Sequence, residues 1–552
     1  MNKSENISDY KTLASSNNGG AKVSGNETLK PSGWKKSKKD KTVSVSNSNL
    51  QNLSKKKKKK LSSPSKQKES KPKETEELFL FENSYKLKIK IPQIVEEDLT
   101  ENKTKQSKLK KLEKRKERDK KLLGKDNWLF RNGHTLTYFG LYCFSVLVLF
   151  RPYELIPGFG FLAATAIYAA LATLFIYVPT QFVTEGNVTT FSTEVKAIIA
   201  MTAIALCSIV IAKSPPRAWE VFNDTYIKAV LMFIVMVNVI RTRKRLMGMI
   251  WLSLGIAFVL SYMAIGMYSR GEISTEGYRI SVDIGGIFAN PNDMALHLIT
   301  MFPLALTLGL ASKNIFLKIF YFTVTILIVS ATMVTYSRGA FLGMIVAGGI
   351  LSWKLGRKYR LKVSLASIVA GLLIILLAPG NYAIRILSIF GIVPDPVGSR
   401  GQRSELLWRS IFVSGRNPWG IGIGNFEIVG VQNLGTHNAF TQVSSELGIL
   451  GLLAYLIFMV SPFRKLGAIE RTLFDKDETN WFYYLSIGLQ ASIAGYMVSS
   501  FFAAVAYNWY IYYLIAYAVA FRRIYMSEYG IEKEVKTDSL TENLLGWQLK
   551  SA

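Results

Sequence analysis

Acidic residues, cysteine and histidine are all scarce in this chain: 39 Asp and Glu stand against 68 Lys and Arg, with two Cys and three His among 552 residues. Two cysteines cannot staple a disulfide-built fold. Cys143 and Cys207 both fall inside apolar stretches and read as small packed hydrophobes, which leaves the redox compartment open. His134, His297 and His437 are scattered, no Cys/His or carboxylate cluster has metal-ligand spacing, and no serine completes a triad, so nothing calls for a metal or a cofactor. The glycine-rich run Asn417-Pro-Trp-Gly-Ile-Gly-Ile-Gly-Asn-Phe426 lacks the lysine of a nucleotide-binding P-loop and reads first as bend and backbone packing. No apolar core sits directly behind the first charges, so the first spanning helix is expected to direct insertion.

What the chain does contain is segregated. Residues 1–127 carry about +17 of the +29 formal charge and almost no apolar runs. This tail divides into a Ser/Asn/Lys-rich stretch, the block Lys55 to Lys60 and a dense charged segment from Lys108 to Lys125. It has too few apolar side chains to offset the entropy of ordering, and most of it is expected to be disordered and cytoplasmic. The alternating Leu87-Lys88-Ile89-Lys90-Ile91 could form a short strand or docking motif. Three roles are open to the tail: a solvated spacer that enforces topology, attraction to anionic headgroups, or nucleic-acid binding. Nucleic acid is disfavoured, because no aromatic interleaving or RNA-binding motif accompanies the lysines.

Beyond residue 127 the chain is a succession of apolar stretches of about 15 to 23 residues, each enough for a membrane helix. They fall near 136–150, 161–179, 196–212, 226–240, 246–266, 294–311, 315–335, 340–354, 362–379, 438–460, 481–502 and 505–521. The expected fold class is therefore all-α: a polytopic membrane protein of about twelve helices, with a transmembrane domain over 128–525 and a short cytoplasmic C-terminal tail over 526–552. With the basic tail inside, the loops bearing Arg241 to Arg245, Lys354 to Lys362, Arg464-Lys465 and Arg522-Arg523 fall on the cytoplasmic side, as the positive-inside rule expects. The loops 151–160, 213–225, 267–293, the Tyr336 to Gly339 turn and a long loop over 380–437 then lie outside. Loops this long in a compact domain are often functional. Within it, residues Ser404 to Phe412 are predicted to form an amphipathic helix with Leu406, Leu407 and Ile411 on one side and Arg403, Glu405 and Arg409 elsewhere.

The outer segments hold the polar clusters. Phe288-Ala-Asn-Pro-Asn-Asp293 supplies a turn and an N-cap, and Asn290 and Asn292 could also present amide donors to a sugar or phosphate. Tyr336-Ser-Arg-Gly339 breaks two apolar helices; Arg338 there either snorkels to the headgroups or meets an anion, and Gly339 permits close approach. Arg400, Arg403 and Arg409 form a second cationic patch, which with Arg338 and Arg279 could clamp a diphosphate through bidentate guanidinium contacts; a solvated loop surface is the alternative for each. His437, in Thr436-His-Asn-Ala-Phe-Thr441, lies where the long loop re-enters an apolar helix, and an imidazole there can accept a proton near neutral pH. His134 is placed before the first helix, and His297 reads as a packed, hydrogen-bonded core histidine.

Taken together, F-A-N-P-N-D, T-Y-S-R-G-A, N-P-W-G-I-G-I-G-N-F and T-H-N-A-F-T-Q-V-S-S-E-L-G-I-L-G, in this order, resemble the O-antigen ligase/polymerase family of bacterial envelope glycan transferases over about residues 136–525. The resemblance implies a metal- and nucleotide-independent, inverting glycosyltransferase of the bacterial cytoplasmic membrane with an extracytoplasmic active site. Its donor would be a glycan on undecaprenyl diphosphate. Its acceptor would be lipid A-core in the ligase branch, another carrier-linked glycan in the polymerase branch, or a protein hydroxyl in a third. His437 is then the candidate general base and Arg338 and Arg403 the diphosphate binders, with Arg400, Arg409 and Arg279 further candidates. Asn438 and Glu446 would orient the histidine or the acceptor; Glu446 could equally cap or pair within the bundle. The basic tail is not accounted for by the likeness. Two other classes compete: a secondary solute transporter, which would show paired halves and ionisable groups at the midplane, and a structural membrane anchor, which would not need the Arg and His clusters.

Overall fold

The computed structural model describes residues 128–529 except residues 157, 163–164, 273–278, 285–287, 358, 377–381, 383–398 and 431–432. The basic tail, with its lysine block and the Leu87 to Ile91 stretch, lies outside the described residues, as does the segment after residue 529. The described chain is built of helices: α1 Trp128–Ser145, α2 Thr165–Glu185, α3 Thr193–Val210, α4 Ile227–Val239, α5 Arg243–Ser269, α6 Pro291–Ala311, α7 Ile315–Val334 and α8 Arg338–Leu355. There follow α9 Arg360–Leu376, α10 Ser399–Arg416, α11 Ala439–Glu446, α12 Gly448–Asp475, α13 Trp481–Ser499 and α14 Trp509–Tyr529. Each of the twelve apolar stretches coincides with a helix. Among the described residues eight helical segments are long and apolar enough to cross a membrane, against the about twelve that hydropathy suggested. The stretch expected to begin at residue 438 is two helices, because the chain breaks at Leu447 between α11 and α12.

Polar side chains start these helices. Ser192, Thr242, Asn290, Asn314, Ser337, Asn438 and Asn480 each accept a hydrogen bond from an amide in the following turn, satisfying donors that a helix start would otherwise leave bare in an apolar medium. Helix α6 is the most enclosed candidate span, 83% buried in its apolar window against 12% for α2. It packs between α7 and α13, and α13 packs in turn on α8. Gly343 makes the last contact possible: a Cβ there would come within 2.7 Å of the Gly495 carbonyl. Small residues at such crossings let backbones approach where helices gain little from hydrophobic exclusion.

The two ends of the bundle are held by different means. At one end half-buried Glu185 and buried Glu194 and Glu470 collect cations from segments distant in sequence, with Lys354, Lys465 and Arg523 lying within α8, α12 and α14. Glu185 pairs with Arg241 and Arg523 at 2.6 and 2.8 Å, Glu194 with Lys465 at 3.0 Å, and Glu470 with Lys354 and Arg357 at 2.8 and 2.9 Å, while Arg243 bridges to Glu528. These cations belong to the four basic loops grouped together by the positive-inside pattern. Contacts at the other end join the remaining loops among themselves: Lys213 to Ile421, Ser214 to Asn425 and Arg217 to Glu427. His134 lies within α1, not before it, and its Nε2 meets Thr184 Oγ1 at 3.1 Å. His297 is packed between Phe288 and Tyr510, but neither ring nitrogen finds a hydrogen-bond partner among the described residues.

Glu470 is fully buried against two cations, so its removal strands both charges away from water. Glu470→Ala should destabilise the protein by about 3 kcal/mol, measured as a lowered thermal midpoint of the purified protein in detergent, with Lys354→Met costing less because Arg357 remains.

Candidate functional site

Three polar segments meet at the end of the bundle opposite the buried carboxylates. Helices α7 and α8 are joined by only Thr335, Tyr336 and Ser337, and Tyr336 turns the chain with φ 52°. Arg338 is thereby the first residue of α8, half-buried, beside amides that carry the positive end of the helix dipole. Gly339 follows because a Cβ at that position would lie 2.8 Å from Phe502 Cβ.

The turn is fixed by its neighbours. Asn292 Oδ1 accepts from Ser337 Oγ at 3.0 Å and from the Arg279 guanidinium at 2.8 Å. Arg279 Nε donates to the Thr335 carbonyl at 3.0 Å, and Ile280 N to the Val334 carbonyl at 3.2 Å. Arg279 is only 3% exposed. Its fork therefore holds the α7–α8 turn to the start of α6. Asn290 is exposed and caps α6 through Asn292 N at 2.8 Å, the helix-start role that its position beside Pro291 allowed.

His437 occupies a second strained turn, with φ 50°, immediately before α11. Thr436 Oγ1 bonds the Asn438 carbonyl at 2.8 Å, and Asn438 Oδ1 caps α11 through Phe440 N and Thr441 N at 2.9 and 3.1 Å. Asn438 thus fixes the backbone on which His437 sits; its buried Nδ2 has no hydrogen-bond partner among the described residues. Helix α10 packs against α11, with Ser414 and Ser444 hydroxyls 2.9 Å apart, and brings Arg403 close enough to act on the imidazole. Burial first, and the Arg403 charge second, hold His437 below the usual imidazole range. The ring is therefore neutral near pH 7, the form that accepts a proton.

The two turns share a neighbour. Phe502 packs on Gly339 and Phe501 on Phe440, with ring centroids 6.4 Å apart, so Arg338 and His437 flank one aromatic turn, Ser500–Phe502. Its rings also line an open apolar depression of about 470 Å³, together with Leu342, Ile345, Phe440 and Met497 among others.

The remaining predicted residues have other placements. Glu446 is buried and accepts from Gly424 N at 2.9 Å and Phe426 N at 3.4 Å, with the Tyr507 hydroxyl turned toward it. It organises the glycine-rich run, where Gly420, Gly422 and Gly424 all have positive φ, values of 89°, 99° and 69°. Arg409 is exposed and donates to the Val429 carbonyl at 3.2 Å, away from the imidazole-facing side of α10. Arg400 lies in the first turn of α10, and its side chain is outside the described residues. Ser337 and Phe502 were not singled out in the sequence; the N-cap pattern Ser-x-x before an apolar run could have found the first, whereas the second is brought in from a distant helix end. Among the described residues no group of three or more His, Cys, Asp and Glu converges as a metal site.

Residues 323–456, from mid-α7 into α12, match the family model described as O-Antigen ligase. This segment belongs to the O-antigen ligase family. It contains Arg338, Arg400, Arg403, Arg409, His437, Asn438 and Glu446, while Arg279, Asn290 and Asn292 precede it. No curated protein matches the chain. Among the described residues eight helices are long and apolar enough to cross a membrane, and the family that the matched segment belongs to is one of membrane glycosyltransferases.

If Arg279 is architectural, Arg279→Gln should cost about 2 kcal/mol through lost charge-assisted hydrogen bonds. The thermal midpoint should fall while the donor-concentration dependence of whatever transfer survives stays unchanged; a raised donor KM at unchanged stability would return Arg279 to the binding machinery.

Proposed function

We propose that the protein transfers a glycan from an undecaprenyl diphosphate carrier to an acceptor hydroxyl at the extracytoplasmic face of a bacterial cytoplasmic membrane, with lipid A-core the favoured acceptor. The observation that carries this reading is the neutral, half-buried His437 beside Arg403, on the same aromatic turn as Arg338 at the start of α8. Attack on the anomeric carbon requires a base for the acceptor proton and cations for the departing diphosphate. His437 supplies the first, and Arg338 with Arg403 the second. The diphosphate is already activated, so the step needs no nucleotide.

The open apolar depression that Phe501 and Phe502 help to line offers a place for the isoprenoid end of the carrier beside the same aromatic turn. Arg400 and Arg409 are kept as outer diphosphate or glycan contacts, Asn290 and Asn292 as polar contacts at the rim, and Asn438 and Glu446 as positioning residues. The buried carboxylates gather the basic loops at the far end, which supports cytoplasmic termini and an extracytoplasmic site. Anionic headgroups are the partner proposed for the basic tail. The same machinery serves a polysaccharide polymerase or a protein O-glycosylation ligase equally well, because the acceptor hydroxyl is chemically alike in all three. The choice is made by a transfer assay with purified protein and a carrier-linked donor, offered lipid A-core, carrier-linked glycan and protein acceptors in turn; transfer to none of them would remove the reading and favour a carrier protein.

His437→Ala should abolish transfer while the protein remains inserted and keeps its thermal midpoint; full transfer by this variant would remove the base assignment. The pH dependence supplies a finer check. Transfer requires unprotonated His437 and so declines as pH falls through its pKa. Arg403 holds that pKa down, so Arg403→Gln should move the acidic limb of the pH–kcat/KM profile to higher pH, beyond any loss in kcat. An unmoved limb would mean that Arg403 does not act on the imidazole.

A further inference from the structure

Helix α10 has three distinct faces. Arg403, Leu406, Ser410 and Val413 recur every three or four residues and form the packed stripe, with Leu406 and Val413 joining Ile421 and Phe426 in a small separate core. Glu405, Arg409 and Arg416 form a charged edge. The third face is Trp408, Ile411 and Phe412, spaced to share one surface and left 69%, 45% and 50% exposed. The sequence pattern groups Ile411 with Leu406 and Leu407 on one side; the fold buries Leu406 and leaves Ile411 exposed.

This apolar face does not stand alone. Trp419, 70% exposed, follows α10 and is tied to the first turn of α12 by the hydrogen bond from Ile449 N to the Pro418 carbonyl at 2.9 Å. Below that tie, Ile449, Leu450, Leu453 and Ile457 of α12 are all exposed, a surface that a candidate membrane span presents to lipid. The outward aromatics of α10 and Trp419 therefore stand at the upper rim of a lipid-facing band. Arg409 lines the same shallow depression as Trp408 and Phe412, and the Arg416 guanidinium lies 4.4 Å over the Phe412 ring. An amphipathic helix with Trp and Phe on one face and Arg at its edge has the make-up of a helix lying in the interface plane, its apolar side in the acyl boundary and its guanidiniums among anionic headgroups.

We infer that α10 is an interfacial helix seated in the outer leaflet through Trp408, Ile411, Phe412 and Trp419, with the occupant of this face being the bilayer itself. Its opposite stripe carries Arg403 toward His437, so the membrane surface and the imidazole are contacted by two sides of one helix. The inference does not rest on the transfer reaction.

The test uses the full chain in nanodiscs of phosphatidylglycerol and phosphatidylcholine. Cys143 and Cys207 are replaced by Ser, and an environment-sensitive fluorophore is attached at Phe412→Cys or, for comparison, Glu405→Cys. Both positions are exposed, so the packed stripe is left intact. The expected result is a blue-shifted probe at position 412 that is quenched about threefold more by nitroxide lipids labelled near the headgroup than by lipids labelled deep in the chain, as suits a depth of about 5–10 Å. The probe at position 405 should remain open to aqueous iodide. Iodide quenching of both probes with no lipid quenching would overturn the proposal. So would protection of position 412 from iodide by a soluble oligosaccharide without lipid quenching, which would instead make Trp408 and Phe412 a sugar-stacking surface.

Discussion

Asn292 Oδ1, accepting from Arg279 and Ser337 together, is the contact on which the polar end of this bundle depends. A guanidinium buried at this depth is tolerable only if its donors are met, and here they are met by a side-chain amide and by the carbonyl of a chain reversal. Through that one oxygen, the start of α6, the end of α7 and the start of α8 become a single unit. Arg338 inherits its position from this unit, since it is the next residue after the capping serine. The opposite end of the bundle obeys the same rule with a different solution: Glu185 receives Arg241 and Arg523, Glu194 receives Lys465, and Glu470 receives Lys354 and Arg357 from the end of α8.

The second consequence concerns where strain is held. Tyr336 and His437 are both non-glycine residues with positive φ, and each directly precedes a helix start capped by the residue that follows it, Ser337 and Asn438. Such backbone persists only where the surroundings over-determine it. Both turns also lean on Ser500–Phe502, which brings two helix N-termini, an imidazole and a guanidinium to one aromatic turn. Helix α10 adds the Arg403 charge, which with burial keeps the imidazole neutral. A base poised in this way and cations at helix starts are what departure of a diphosphate requires.

Much of this was legible in the chain. Apolar runs located the eight candidate membrane spans among the described residues, since a span must be continuously apolar and its period need not be read, whereas the 18-residue α10 was legible only as a short amphipathic stretch. The Asn and Ser residues before those runs marked the caps, and the basic loops sorted the two ends. Individual side-chain roles were less legible. Arg279, Arg338 and Arg403 look alike in sequence, yet the first is an internal brace, the second begins a helix and the third faces a histidine. Glu446 follows His437 by nine residues and was open in the sequence to orienting the histidine or the acceptor or to pairing within the bundle; a helix intervenes, and its carboxylate accepts from the glycine-rich run. Asn290 and Asn292, two residues apart, divide between capping and bracing.

Composition and order alone determined the class of protein, the helical segments, the grouping of basic loops and the motifs that place residues 323–456 in the O-antigen ligase family. These follow from properties that each residue carries wherever it sits: hydropathy, charge and capping preference. Which arginine braces and which faces the imidazole, how the break at Leu447 separates α11 from α12, and the outward turn of Ile411 were decided only by tertiary structure. The reason is that burial and pairing are set by neighbours brought from other helices, and a linear pattern does not specify the rotation of one helix against the next.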